Sequence, residues 1–250
     1  MYVIPFVFAA IANIMCFVLG QNYFISNGIV FGSYLIGLIL VLDYSAIKSH
    51  WKGILGFFTF STVTTTLLEL IFIHTDTWGF SRTMNEMVGV NLFGIPIEEY
   101  IFWEFCPLVV IFTYMYFKQL TKPISRLTSS MYVDDVINTD DNGYAKYSRG
   151  IKLPVYTAFI AITVFMIYKL KDYGKGNWTA IALTVSVFFL VIFPFEQYAL
   201  IHHVWVYNMQ KMIGIAFLGV PVEEWIVYFA CPGAGCLLLE VFNKKLNNAI

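Results

Sequence analysis

The sequence predicts an all-α fold: a polytopic membrane helical bundle of about seven spans, in which a three-helix unit occurs twice behind one extra N-terminal helix. Three observations predict it. The 250 residues are 59% hydrophobic and only 12% charged, about half the charged share of a soluble domain, and the mean hydropathy is +0.71. Several nearly charge-free runs reach the ~20 residues that cross a bilayer as helix. One motif recurs at a fixed offset in the two halves of the chain. The alternating pattern of a membrane β-barrel is absent.

In chain order, Met1 to Leu19 is apolar from its first residue. It lacks a basic n-region and a small-x-small cleavage site, so it is expected to be a retained span. Further spans are expected at about 28–47, 53–73, 96–117, 153–170, 178–200 and 219–242. The segment 118–152, rich in Ser, Thr, Asp, Asn and Gly, reads as a polar linker. The expected organisation is a membrane half 1–117, the linker 118–152 and a membrane half 153–250, with repeat units at about 28–117 and 153–242.

The repeat rests on residues. "GIPIEEYIFW" (Gly94 to Trp103) and "GVPVEEWIVY" (Gly219 to Tyr228) share one pattern. Pro96 aligns with Pro221, Glu98 with Glu223, Glu99 with Glu224, and Cys106-Pro107 with Cys231-Pro232, all 125 residues apart. Upstream, Glu69 and Trp78 align with Glu196 and Trp205 at an offset of 127. Three spans per unit would invert one half relative to the other. With that parity, nine of the 15 Lys and Arg fall on the side of the N-terminus and the linker, so both are expected in the cytoplasm of a multi-pass cell-membrane protein.

Pro-x-Glu-Glu is a good helix start. Proline lacks the N–H that would be unpaired in the first turn, and carboxylates suit the positive end of the helix dipole. Capping at the water interface is therefore the structural reading of these glutamates. The functional reading starts from cost, since ionisable groups within a bilayer are expensive and mark functional paths. Glu98, Glu99, Glu223 and Glu224 are the candidate catalytic groups, because environments that differ between neighbouring carboxyls supply both an acid and a base. Glu69 and Glu196 lie at matching places in the repeats and are candidate substrate-binding or cation-stabilising groups. So are the aromatics Tyr100, Trp103, Trp225, Tyr228, Trp78 and Trp205, whose ring faces attract cations. The tryptophans equally suit an interfacial belt. Pro96 and Pro221 are structural.

His74, His202 and His203 follow the helices that carry Glu69 and Glu196, without metal-ligand spacing on a second helix, so no metal is expected. Cys16, Cys106, Cys231 and Cys236 read as small buried apolar residues. No Gly-x-Gly-x-x-Gly follows a strand, so no dinucleotide cofactor is expected; "PGAGC" suits close helix packing. Acids, aromatics and a greasy cavity suit protonation of an alkene and sheltering of a carbocation.

At these residues the sequence resembles the small integral-membrane lycopene cyclases, which occur as two subunits, as tandem fusions, or fused to phytoene synthase. Their hallmark, Pro-(Leu or Val)-Glu-Glu opening a helix after a tryptophan-rich stretch in each half, is matched by Pro96, Glu98, Glu99 and Trp78, then Pro221, Glu223, Glu224 and Trp205. The resemblance covers about 60–245. Two features depart from it: "LLELIF" stands where members often carry Trp-Asp-Asn, and each upstream stretch holds one Trp. The resemblance implies a cofactor-free, redox-neutral ring closure of lycopene, with membrane lipid around the enzyme, no nucleic acid, and association with other carotenoid-biosynthesis enzymes. Other readings are a proton- or cation-coupled carrier of inverted repeats, a carotenoid hydratase, a prenyltransferase, a membrane protease and a non-catalytic assembly subunit. A prenyltransferase would need Asp-rich Mg²⁺ sites, and the only Asp cluster, Asp134 to Asp141, lies in the linker.

Overall fold

A computed structural model describes residues 3–19, 23–75, 77–80, 90–121, 155–201 and 204–247. Among these are seven helices: α1 (Ile4–Leu19), α2 (Tyr23–Val41), α3 (Tyr44–His74), α4 (Ile97–Leu120), α5 (Val155–Leu170), α6 (Trp178–Ile201) and α7 (Val222–Asn247). The fold is all-α and of membrane type. α3, α4, α6 and α7 are each long and apolar enough to cross a bilayer, while α1 and α2 hold shorter apolar stretches.

One boundary differs from expectation. The apolar run at 28–47 is broken near residue 43, where Asp43 caps α3 by accepting from the Ser45 N–H at 2.9 Å and the Ser45 hydroxyl at 2.8 Å. Hydropathy continues across this point, but the Asp-x-Ser cap restarts the helix. Glycines then let helices approach. A Cβ on Gly37 would meet the Pro5 Cα at 2.8 Å, and one on Gly53 or Gly56 would strike Asn243 or Leu246 of α7. Small residues perform this service between membrane helices.

The connections carry short strands. β1 (Trp78–Phe80) pairs antiparallel with β4 (Trp205–Tyr207), joining the α3–α4 connection to the α6–α7 connection. Hairpins β2–β3 (Asn91–Leu92, Ile95–Pro96) and β5–β6 (Ala216–Phe217, Val220–Pro221) precede α4 and α7. Their two-residue turns, Phe93-Gly94 and Leu218-Gly219, have positive φ at both positions: 52° and 82°, then 52° and 77°. This is the geometry that twisted hairpins favour. The halves match bond for bond. Ile97 N–H donates to Val90 O and Val222 N–H to Ile215 O, both at 2.9 Å. Tyr100 Oη donates to Leu92 O, and Trp225 Nε1 to Phe217 O.

The relation between the halves is not the inversion that span counting predicts. Tyr156 near the start of α5 meets Glu224 at the start of α7, and Gly174 just after α5 meets Leu237, so α5 and α7 run in parallel. Lys118 and Tyr114, late in α4, bond Glu240, late in α7, so α4 is parallel to both. The units are related by rotation about an axis along the bundle. Consequently α4 ends at one end of the bundle and α5 begins at the other; residues 122–154 between them lie outside the described residues. The α1 N-terminus shares the α4 C-terminal end, where Phe6 packs on Tyr116 and Phe117.

This corrects the side assigned to five lysines. Lys169, Lys171, Lys175, Lys244 and Lys245 share an end with Lys48, Lys52 and Lys118, leaving Lys211 as the one described cation at the opposite end.

Gly94→Ala and Gly219→Ala are each expected to lower stability by about 1–2 kcal/mol, because a Cβ disfavours left-handed backbone. Thermal denaturation of purified protein in detergent reads this as a lowered midpoint.

Candidate active site

Glu69 lies in the last turns of α3 and Glu196 in those of α6, while Glu98-Glu99 and Glu223-Glu224 occupy the first turns of α4 and α7. The β1–β4 pairing draws these four helix ends together. All six carboxyls are buried, none more than 6% exposed.

They do not share one environment. Adjacent helical residues point about 100° apart, and the structure separates each pair accordingly. Glu99 and Glu224 line a common cavity together with Glu69 and Glu196. Glu98 and Glu223 do not line it. Glu223 Oε1 instead accepts from the Ile213 backbone N–H at 2.5 Å, tying the incoming connection to the helix start. Glu223 thus ties the connection to the helix start, and Glu224 faces the cavity.

The cavity holds about 1150 Å³ of space free of protein atoms, part of it open to the outside. It lies across the pseudo-twofold relation. Glu99, Phe102, Trp103, Cys106, Pro107 and Val110 of α4 line it, and so does every residue 125 positions later, from Glu224 to Gly235 of α7. On α3 its lining runs from Phe57 to Phe72, about 22 Å at 1.5 Å per residue. The carboxyls sit toward one end, and the rest of the wall is mostly apolar. Pro107 and Pro232 have no N–H to give, so the carbonyls of Trp103 and Tyr228 lack their helical donors beside the cavity.

Sequence reasoning singled out some aromatics that belong here and some that do not. Trp103 and Tyr228 line the cavity. Tyr100 and Trp225 latch the hairpins, and Trp225 packs among Phe189, Phe193 and Phe217. Trp78 and Trp205 supply backbone to β1 and β4; their side chains lie outside the described residues. Pro96 is the N-cap of α4, and Pro221 immediately precedes α7. His74 is exposed, with Nδ1 2.7 Å from Leu70 O, and His202 and His203 lie outside the described residues. Cys106 and Cys236 are buried as expected, but Cys106 and Cys231 also line the cavity.

Two cavity tyrosines escaped the sequence. Tyr156 Oη donates to Glu224 Oε1 at 2.5 Å, and Tyr207 Oη donates to Glu196 Oε1 at 2.6 Å. Tyr228 lines the same cavity as Glu196. Burial and the adjacent Glu196 carboxylate hold the Tyr207 phenol well above its usual range, so it remains a donor. The signal for Tyr207 is present in the repeat: it stands two residues after Trp205, where the first half has Phe80 after Trp78.

A model of the lycopene cyclase family matches residues 22–117 and 153–242, the two segments that carry the paired cavity walls. No curated protein and no solved structure matches the chain.

Glu223→Ala is expected to cost about 1–3 kcal/mol of stability by orphaning a backbone donor bonded to a charged group. Glu224→Gln keeps shape and should fold. Thermal midpoints of the two purified variants in detergent separate the roles.

Proposed function

The chain belongs to the lycopene cyclase family, and from that premise we propose that it is an intramolecular lyase that closes the ψ end groups of lycopene to β-rings, through γ-carotene to β-carotene, without redox change. The observation that carries this reading is the single cavity in which Glu69, Glu99, Glu196 and Glu224 converge from both halves among aromatic and aliphatic walls. Four carboxyls in one apolar enclosure disfavour carrying charge together, and in this reading one of them is the acid and another the base. A carboxyl O–H gives its proton to the terminal double bond, forming a C–H bond and a tertiary cation. An internal double bond attacks that cation and closes a six-membered ring, moving the positive charge into the ring. A carboxylate then removes a ring proton and a double bond re-forms. Proton gain and loss balance, so the product is an isomer of the substrate. Proton transfer by placed groups contributes about 10²–10⁴-fold. Fixed carboxylates, the two freed carbonyls and the faces of Trp103 and Tyr228 favour the cation.

A carotene spans a bilayer core of about 30 Å, more than the ~22 Å along which α3 lines the cavity. One end group enters at a time, and the other remains outside. The inverted-repeat carrier loses its premise, because the units are related by rotation.

The basic residues orient the bundle. With eight of the nine described Lys and Arg at the end that carries the α1 N-terminus, that end faces the cytoplasm. The carboxyl-bearing end then lies toward the opposite leaflet.

Expressed in lycopene-accumulating bacteria, the wild-type chain should yield products of unchanged mass and blue-shifted absorption. Glu99→Gln or Glu224→Gln alone should cut both ring closures by at least about 10². A monocyclic carotene should appear first and decline as the bicyclic product rises. Two independent sites would instead leave one ring closure intact in each single variant. Cysteines placed at Lys48 and Lys211, in a variant lacking the native cysteines, should react with a membrane-impermeant thiol reagent from opposite sides, position 211 from outside intact cells.

A further inference from the structure

The two units close their flanks differently. α5 stands in the second unit where α2 stands in the first, so the rotation pairs the seam between α3 and α5 with the seam between α6 and α2. At α6–α2 the rings of Phe31 and Phe195 pack 5.2 Å apart, both deeply buried in the main core. α1 covers this flank: it packs along α2, where Pro5 fits against Gly37, and reaches α6. At α3–α5 the contact is made by Phe72, whose ring lies 5.1 Å from Tyr156 and 5.8 Å from Phe159. Phe72 and Tyr156 belong with Met212 to a small cluster separate from the main core. Phe72 stands 127 residues before Ala199, so a ring fills on one flank the place that a methyl group fills on the other. Leu68, Phe72, Tyr156 and Phe159 all line the cavity, and Leu68 and Phe159 are half-buried. Elsewhere α3 is pinned. Thr62 Oγ1 donates to Glu104 Oε2 of α4 at 2.9 Å, and Gly53 and Gly56 bring α3 close against α7.

Resting on the cyclase reading above, we propose that the α3–α5 seam is the lateral mouth of the cavity, where one end of a conjugated polyene enters from the bilayer between Phe72 and Phe159. A small satellite cluster opens at lower cost than the main core. Two rings can part by changing rotamer, with no helix displaced. The surroundings fit a lipid-borne guest. Val63, Leu67 and Ile71 of α3 and Ile162 of α5 are apolar and exposed beside the seam, so the mouth opens to hydrocarbon and not to water. Aromatic faces suit the flat face of a conjugated chain. An end group that passes Phe72 and Phe159 arrives beside Tyr156, which bonds Glu224, and so meets the carboxyls as it enters. The uncyclised half of the chain then lies in the lipid-facing groove between α3 and α5. The extra N-terminal helix gains a role: by sealing the related flank, α1 leaves a pseudo-symmetric cavity with one mouth.

The test locks each seam in turn. In a variant lacking the native cysteines, Phe72→Cys with Phe159→Cys places a thiol pair across the mouth, and Phe31→Cys with Phe195→Cys places one across the related seam. Each full-length protein is joined with a short bifunctional thiosulfonate, whose bonds a reductant reverses, and receives lycopene either before or after joining. Pigment that co-elutes with the protein on size exclusion in detergent reads occupancy, and conversion in phospholipid vesicles reads turnover. Joining positions 72 and 159 first should exclude lycopene and stop conversion, and reductant should restore both. Joining them after loading should trap the pigment. Joining positions 31 and 195 should leave loading and conversion unchanged. If the pair at 72 and 159 does not yield folded protein, the single substitutions Phe159→Trp and Phe159→Ala vary the width of the mouth; the first should load lycopene more slowly than wild type and the second faster. Loading that is indifferent to the 72–159 link or to the size of residue 159, or that is blocked by the 31–195 link instead, would overturn the mouth. A wild-type protein that takes up lycopene through this seam and forms no ring would overturn the cyclase reading and leave the mouth standing; one that takes up no lycopene would overturn both.

Discussion

Gathering carboxyl groups inside an apolar bundle is the constraint on which the rest of this structure depends. Each such group needs donors or a shared proton, and each must be held where water does not reach it. Two of the three carboxyls in each half stand in the first turns of α4 and α7, where backbone donors are in surplus. The protein brings these turns together by pairing the connections that feed them. β1 and β4 contribute three residues each, yet their pairing decides that two motifs 125 residues apart face a common space.

The same demand explains the division of labour within each Glu-Glu pair. A helix start can turn one neighbour toward the incoming chain and the other toward the bundle interior. Glu223 secures the segment that arrives from α6, and Glu224 is thereby presented from a fixed platform. Rigidity of this sort matters for a cation in flight, because groups that stabilise it must already be in place. The far half of the bundle is pinned separately, by Lys118 and Tyr114 on Glu240 and by Tyr34 on Thr113. The carboxyl end therefore carries no responsibility for holding the helices at the opposite end.

Much of this was readable before the fold was known. Membrane character, the doubled unit and the Pro-x-Glu-Glu starts follow from composition and a simple offset, because hydropathy and helix capping are local properties. Which glutamate of a pair faces the cavity is not local, since it depends on where the preceding connection runs. The relation between the halves is not local either. Counting three spans per unit assumes that each connection returns on the side from which it left, and only the contacts of α5 with α7 reveal that the halves rotate. Nothing in its own stretch of sequence marks Tyr156. Tyr207 is legible only by contrast with Phe80, because the informative position in the repeats is a difference and not an identity.

The antiparallel pairing of β1 with β4, centred on Gly79 and Val206, also bears on how such a protein arises. A rotation axis through the cavity is the symmetry that two copies of a single three-helix unit adopt when they dimerise. In such an ancestor every wall residue would appear twice, and a change that suited one side of a substrate would be imposed on the other. With both units in one chain, matching positions are free to differ, as Phe80 and Tyr207 do.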